Sequence, residues 1–129
     1  MAGISENLRQ FIYDNFTSIG QLEVLLLLYG TKEKQWTALA VGDELRSNEA
    51  AANNQLDELL STGLITRQNR LNITSYAFSP TLPPEKQEAV KNLANCYNSY
   101  RVSIITMIYE KPVDVLRSFS DAFKIKKDK

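Results

Sequence analysis

The fold is decided by the stretch from Gln21 to Ser79, in which three blocks follow in a fixed order. The blocks read QLEVLLLLYG at 21–30, WTALAVGDELRSNEAAANNQLDELLSTGLITR at 36–67 and NITSYAFSP at 72–80. The first is an apolar run with helical spacing, the second holds two shorter helical patterns, and the third alternates like a strand. The order therefore predicts three helices followed by a strand pair.

Capping residues predict where these three helices begin and end. Ser18, Thr37 and Asn48 each precede a helical pattern and can accept a hydrogen bond from the first turn. Gln21 occupies the capping-box position of the first helix, and Gly63 is suited to end the third. The expected inward positions are Ile19, Leu22, Leu25, Leu26 and Tyr29 in the first helix, Leu39, Val41 and Leu45 in the second (38–45), and Ala52, Leu56, Leu59 and Leu60 in the third (49–62).

After the third helix the apolar spacing changes from helical to alternating, which indicates strands. A polar Gln68-Asn69 break interrupts the alternation and predicts the turn of a two-stranded wing. The alternating residues are Leu64, Ile65 and Arg67 before the break and Leu71, Ile73, Tyr76 and Phe78 after it. The proline-bounded segment 80–84 predicts a rigid connector.

Helical patterns flank this central unit on both sides. An amphipathic pattern covers Ser5 to Phe16, a longer one runs from Glu85 to Lys111, and a last one from Val113 to Phe123. The sequence thus predicts a mainly α protein with a small two-stranded wing. Its expected parts are an N-terminal helix in 1–17, a winged central domain in 18–80, a C-terminal helical segment in 81–123 and a basic tail in 124–129.

Composition limits the class of protein. The chain has 129 residues, of which 43% are apolar and 23% charged, as in an ordinary globular protein. Its longest apolar run, Val24 to Tyr29, is too short to span a membrane. The N-terminus MAGISENLRQ lacks the pattern of a secretory signal, and the single Cys96 cannot form an internal disulfide. We therefore expect a soluble, cytoplasmic protein.

The inventory of reactive side chains argues against an enzyme. The chain has no histidine and one cysteine, which removes the usual zinc ligand sets and the Ser-His and Cys-His nucleophile pairs. Its five glycines do not form a phosphate-binding loop. We expect neither catalysis nor a bound metal or cofactor.

The order of the central elements resembles the winged helix-turn-helix domains of many prokaryotic transcription regulators, and the resemblance covers about residues 18–79. It implies a DNA-binding regulator whose third helix lies in the major groove of double-stranded DNA, where asparagine can form two hydrogen bonds with adenine. The resemblance implies base contacts by Ala50, Asn53 and Asn54, and DNA backbone contacts by Arg46, Arg67, Arg70, Lys32 and Lys34. Glu49 and Asp57 also belong to the face that it exposes to DNA.

Charge is unevenly distributed, although basic and acidic residues balance at 15 each. Residues 1–63 have a net charge of −5 and residues 64–129 a net charge of +5. Between Thr37 and Gly63 a single basic residue, Arg46, stands against five acidic ones. Because phosphate contacts supply most non-specific affinity for DNA, DNA binding would require a homodimer, which doubles the number of cations.

The predicted long helix is the expected interface of that homodimer. Its broad stripe comprises Tyr97, Tyr100, Arg101, Ile104, Ile105 and Ile108. In the alternative arrangement, the helices at 5–16 and 113–123 of the same chain cover this stripe, and Arg101 extends along its edge.

Two other functions stay open on the sequence alone. A winged helix that has lost DNA binding can serve as a protein-interaction module, with its acidic third helix on a basic partner. Asn53 and Asn54 would then simply lie on a solvent-exposed face of the third helix. A ligand-sensing repressor would need an apolar cavity between the long helix and the core. Cys96 is expected to be a buried, inert thiol, and Trp36 a lid on the core.

Overall fold

The computed structural model describes residues 4–110 as six α-helices and one two-stranded antiparallel sheet. The helices are α1 (Glu6–Asn15), α2 (Ile19–Gly30), α3 (Ala38–Glu44), α4 (Glu49–Thr62), α5 (Pro84–Tyr97) and α6 (Arg101–Tyr109), and the strands are β1 (Ile65–Arg70) and β2 (Ile73–Phe78). Within these residues every helix is too short or too polar to cross a lipid bilayer. The predicted mainly α fold with a small wing is confirmed.

The central helix α2 is buried on more sides than predicted. It contacts α4, α5 and β2, so that Val24 and Leu28 are fully buried as well as the predicted Leu22 and Leu25. The other predicted inward positions, Ile19, Leu26 and Tyr29, are only partly buried. The prediction that Leu39 of α3 faces the core is wrong, because this residue is 54% exposed and lies beside the wing.

The predicted N-caps Ser18, Thr37 and Asn48 all accept a hydrogen bond from the backbone N–H three residues on. Gln21 departs from the capping-box geometry. Its Oε1 accepts from the backbone N–H of Thr17 at 2.9 Å, and its Nε2 donates to the carbonyl of Asn15 at 2.8 Å. The buried amide therefore joins α2 to the end of α1 and satisfies two backbone groups in the linker.

The turn between α3 and α4 depends on a close backbone approach at Gly42. A Cβ atom at this position would lie 2.7 Å from the backbone carbonyl carbon of Asn48, the N-cap of α4. The carbonyl of Gly42 also accepts a 2.7 Å hydrogen bond from the N–H of Ser47. Between them Arg46 turns the chain with a positive φ of 58°. The absence of a side chain at residue 42 thus lets α4 begin directly against α3.

The wing is a hairpin that turns later than predicted. Ile65 pairs with Phe78 and Arg70 with Ile73, so the turn is formed by Leu71 and Asn72 rather than by Gln68 and Asn69. Both turn residues have positive φ values, 54° and 66°, as a two-residue type I′ hairpin turn requires. The polar Gln68-Asn69 pair misled the prediction because these residues lie on an exposed strand, where polar side chains are also favourable.

Trp36 connects the loop after α2 to the wing. Its backbone exchanges two hydrogen bonds with Tyr76 on β2, at 2.8 and 2.7 Å, and its indole N–H donates to Thr31 Oγ1 at 2.9 Å. The indole is 4% exposed, which confirms the predicted lid on the core. The wing is therefore held to the helices along β2, while β1 lies outside.

The prediction of one long helix from Glu85 to Lys111 is wrong, because a turn at residues 98–100 separates two helices, α5 and α6. Asn98 and Ser99 are weak helix formers, and the break lets α6 pack against α1 as α5 does. The predicted helix at 113–123 and the basic tail at 124–129 lie outside the described residues.

A polar cluster joins α2 to α5 and α6. Glu23 Oε2 accepts a 2.8 Å hydrogen bond from the Tyr97 hydroxyl and lies 3.3 Å from Nη2 of Arg101. The pKa of Tyr97 is raised to about 12, mainly because the phenol is buried and to a smaller extent because it donates a hydrogen bond to Glu23. Arg101, which was predicted within an apolar stripe, instead forms an ion pair inside its own chain.

Gly42→Ala is expected to lower the free energy of unfolding by about 1–3 kcal/mol, because the new methyl group overlaps the backbone of Asn48. Urea denaturation followed by circular dichroism measures the change. Gly30→Ala is the matched control, since a Cβ there meets no atom within 4 Å and alanine is the better helix former by ~0.5–1 kcal/mol. Equal stability of the two variants would contradict the close approach.

Tyr97→Phe is expected to flatten the loss of stability at high pH. The pKa of Tyr97 is about 12 in the folded protein and about 10 in an unfolded chain, so its stabilising effect is complete below pH 10 and is lost between pH 10 and 12. Urea unfolding at several pH values in this window measures the slope. Tyr109→Phe, which removes a 60% exposed phenol, is the control. Identical slopes for the parent and Tyr97→Phe would disprove the role of Tyr97.

Candidate nucleic-acid interface

A groove of about 860 Å³ separates α4 from the wing. The helical wall is formed by Glu49, Asn53 and Asp57, which are spaced four residues apart and so share one face of α4. Thr37 and Leu39 of the α3 region close one side. The groove therefore presents amide and carboxylate groups on one wall of an open, partly apolar cleft.

The wing wall of the groove follows from strand pairing. Arg67 lies opposite Tyr76 and Asn69 lies opposite Thr74, and such directly opposed residues share one face of a hairpin. All four line the groove, and Asn69 Nδ2 donates to Thr74 Oγ1 at 2.9 Å. Asn69 and Thr74 were not among the predicted site residues, although the alternation of Asn69 with Arg67 and its pairing with Thr74 place both once the register is known.

The predicted base-contacting residues divide between two neighbouring stripes of α4. Asn53 lines the groove, whereas Ala50 and Asn54 are exposed on the adjacent stripe, outside the lining. Asp57 is one helical turn beyond both asparagines and borders both stripes. The exposed surface of α4 is thus polar and acidic.

The predicted backbone-contacting cations are all exposed but are not gathered in one place. Arg67 lines the groove, while Arg70, three residues along β1, points to the opposite face of the hairpin. Arg46 lies in the turn before α4. Lys32 and Lys34 lie in the loop after α2, where their ammonium groups contact the rings of Tyr29 and Trp36 at 4.7 and 3.8 Å from the ring centroids.

Three of the six residues predicted for a dimer interface are buried within the chain. Tyr97, Ile104 and Ile108 belong to the core that α5 and α6 form with α1. Tyr100 and Ile105 are partly buried and Arg101 is exposed. The surface of α6 also exposes Val102, at 76%, and Tyr109, at 60%, so an apolar patch is left on this side of the molecule.

A second cavity, of about 540 Å³, lies between α2 and α5. Its apolar wall includes Leu26, Leu27, Leu45 and Ala94, and its polar groups are Glu23, Tyr97 and Asn98. Nearby, burial raises the pKa of the half-buried Cys96 thiol, which disfavours the reactive thiolate. An open, partly apolar pocket thus lies between α2 and α5, on the side where the ligand-sensing alternative places its cavity.

Several solved structures are similar to this chain in fold. A variant of MepR from S. aureus has a TM-score of 0.55 and 13% sequence identity, with 95% of this chain and 88% of that chain covered. The ST1889 protein of the archaeon Sulfolobus tokodaii has a TM-score of 0.52 and 18% identity, with 74% and 93% covered. AdcR, the adhesin competence repressor of Streptococcus pyogenes, has a TM-score of 0.50 and 15% identity, with 90% and 84% covered.

No protein-family model matches the sequence, and no curated protein is a significant match. MepR and AdcR are winged-helix regulators. Their likeness extends over nine tenths or more of this chain, and it includes the helices and the two-stranded wing. The protein therefore has the winged helix-turn-helix fold that is found in transcription regulators of this type.

Proposed function

We propose that the protein is a DNA-binding transcription regulator that acts as a homodimer in the cytoplasm. The observation that carries the proposal is the shared groove, in which Asn53 of α4 faces Arg67 of the wing. In a winged helix the reading helix and the wing bind adjacent parts of one duplex. The regulators among the similar structures support the same conclusion at the level of the fold.

In this proposal α4 lies in the major groove and presents Ala50, Asn53 and Asn54 to the bases. The asparagines supply the paired donor and acceptor that recognise adenine. Arg67 extends from the wing to a phosphate between the two walls of the groove, and Arg46 does so from the turn before α4. Arg70, Lys32 and Lys34 contact phosphates at the edges of the same footprint.

A dimer is proposed because one subunit offers few cations to the phosphates of DNA. Five cations are proposed to meet phosphates in each subunit, and they work against Glu49 and Asp57 in the groove and Glu58 beside it. Each phosphate contact contributes through release of condensed counterions. Two subunits on one duplex double the number of contacts. The surface proposed to join them is centred on the exposed Val102 of α6 and includes the exposed Arg101 and the partly buried Tyr100 and Ile105.

The second candidate function is a protein-interaction module that does not bind DNA. The acidic surface of α4 favours it, because residues 37–63 have one basic residue against five acidic ones. A basic partner would find both carboxylates of the groove accessible. The two functions differ in the response to a DNA duplex at low salt, where non-specific contacts are strongest.

Random-sequence duplex DNA is expected to bind with an affinity that falls steeply as salt rises, as measured by fluorescence anisotropy over a salt series. Arg67→Ala should weaken binding to every sequence and reduce the slope of log affinity against log salt by about 1. Lys91→Ala is the matched control, because it removes an exposed cation from α5, away from the groove. An absence of binding by the parent protein at low salt would exclude DNA binding and favour the protein-interaction module.

Val102→Asp is expected to convert the dimer to a monomer, because a charge on this exposed apolar position would be buried at the proposed interface. Light scattering coupled to size exclusion measures the mass at micromolar concentration. Leu71→Asp places the same charge on the wing tip, at a residue that is 88% exposed, and should leave the dimer intact. A parent protein that has the mass of a single chain would contradict the proposed homodimer.

A further inference from the structure

Asp57 is the acidic residue of α4 that lies one helical turn beyond both proposed base-contacting asparagines. It follows Asn53 by four residues and Asn54 by three, which places its side chain where it borders the stripes of both asparagines. It is exposed and lines the groove. Any duplex that meets the asparagines will therefore also meet this carboxylate.

The stability of the fold does not explain an aspartate at this position. Within residues 4–110 the ion pairs are Arg9 with Glu6 and Arg101 with Glu23, and the Asp57 carboxylate has no hydrogen bond. Aspartate is a weak helix former, and its position in the second half of α4 keeps it from capping the helix or favourably meeting the helix dipole. The residue is thus unfavourable locally and is fully available to a ligand.

We propose that Asp57 is a specificity-determining residue that selects cytosine, by accepting a hydrogen bond from the N4 amino group in the major groove. This inference rests on the proposed DNA binding. A carboxylate has only acceptors, and cytosine N4 is an amino donor that the major groove presents. At thymine or guanine the carboxylate would face acceptors instead. Adenine N6 is also a donor, but the N7 acceptor beside it would repel the carboxylate, whereas cytosine presents its amino donor without a neighbouring acceptor.

The acidic character of α4 then acts through rejection of wrong sequences. Asp57 weakens binding to every duplex, and the loss is offset best where a cytosine donates to it, so that specificity increases while non-specific affinity decreases. Four residues of α-helix span about 6 Å, close to two base steps of about 3.4 Å. The preferred half-site is therefore expected to hold an adenine, read by an asparagine, with a cytosine about two base pairs away.

Selection of binding sites from a randomised duplex pool tests the inference, followed by anisotropy on the selected duplex and on one with the C·G pair replaced by T·A. The parent protein should prefer the cytosine duplex roughly tenfold. Asp57→Asn should bind random duplex more tightly, because it removes a negative charge, and should lose the preference for cytosine. The asparagine introduced there is suited to adenine, so a shift of preference to adenine at that position would support the inference further.

Glu58→Gln is the matched control. It removes the same charge from the next residue of α4, which is exposed but does not line the groove. It should raise the affinity for all duplexes and leave the cytosine preference unchanged. Circular dichroism confirms that both variants keep the fold of the parent protein.

The outcomes separate this inference from the proposed function. Salt-dependent binding without a selected cytosine, or an equal effect of the two variants on discrimination, would overturn the role of Asp57 while DNA binding stands. An absence of binding to any duplex at low salt would overturn both.

Discussion

The contact between Gly42 and the backbone of Asn48 is the constraint on which the rest of the structure depends. It fixes how closely α4 approaches α3, and through the Asn48 cap it fixes where α4 begins. The direction of α4 in turn determines which of its residues face the wing, and Asn53 and Asp57 line the same groove as Arg67. The absence of a side chain at residue 42 thus positions the groove residues of α4, while the pairing of Trp36 with Tyr76 holds the wing.

The candidate site could be predicted from the sequence only in part. Asn53 and Arg67 were identified because their side-chain chemistry and the element order both point to DNA, and the groove brings them together. Arg70 was grouped with Arg67, yet the strand pleat directs it to the other face. Asn69 and Thr74 were missed because their place in the wall depends on the hairpin register, which is set by a turn that the sequence pattern misplaced.

The fold was predictable wherever a local interaction determines it. Ser18 and Asn48 cap their helices and Gly63 ends α4 with a positive φ of 81°, since each requires only neighbouring residues. Leu39 was misplaced because helical periodicity cannot tell that the core ends before this side of α3. The break before α6 was missed for a related reason. Helical spacing continues through residues 98–100, and the packing of both α5 and α6 against α1, which favours the break, is not visible in the sequence.

The hairpin turn at Leu71 and Asn72 has a consequence for the motions of the protein. A leucine in the left-handed region is strained by about 1–2 kcal/mol, and its side chain, 88% exposed, recovers nothing by burial. Beyond Ile65, every residue of β1 is exposed, so little packing opposes the strain. The tip of the wing therefore opens locally at a lower free energy than the helices require. We therefore expect its amide hydrogens to exchange with solvent while the core stays closed, and a partner that binds the wing to slow that exchange.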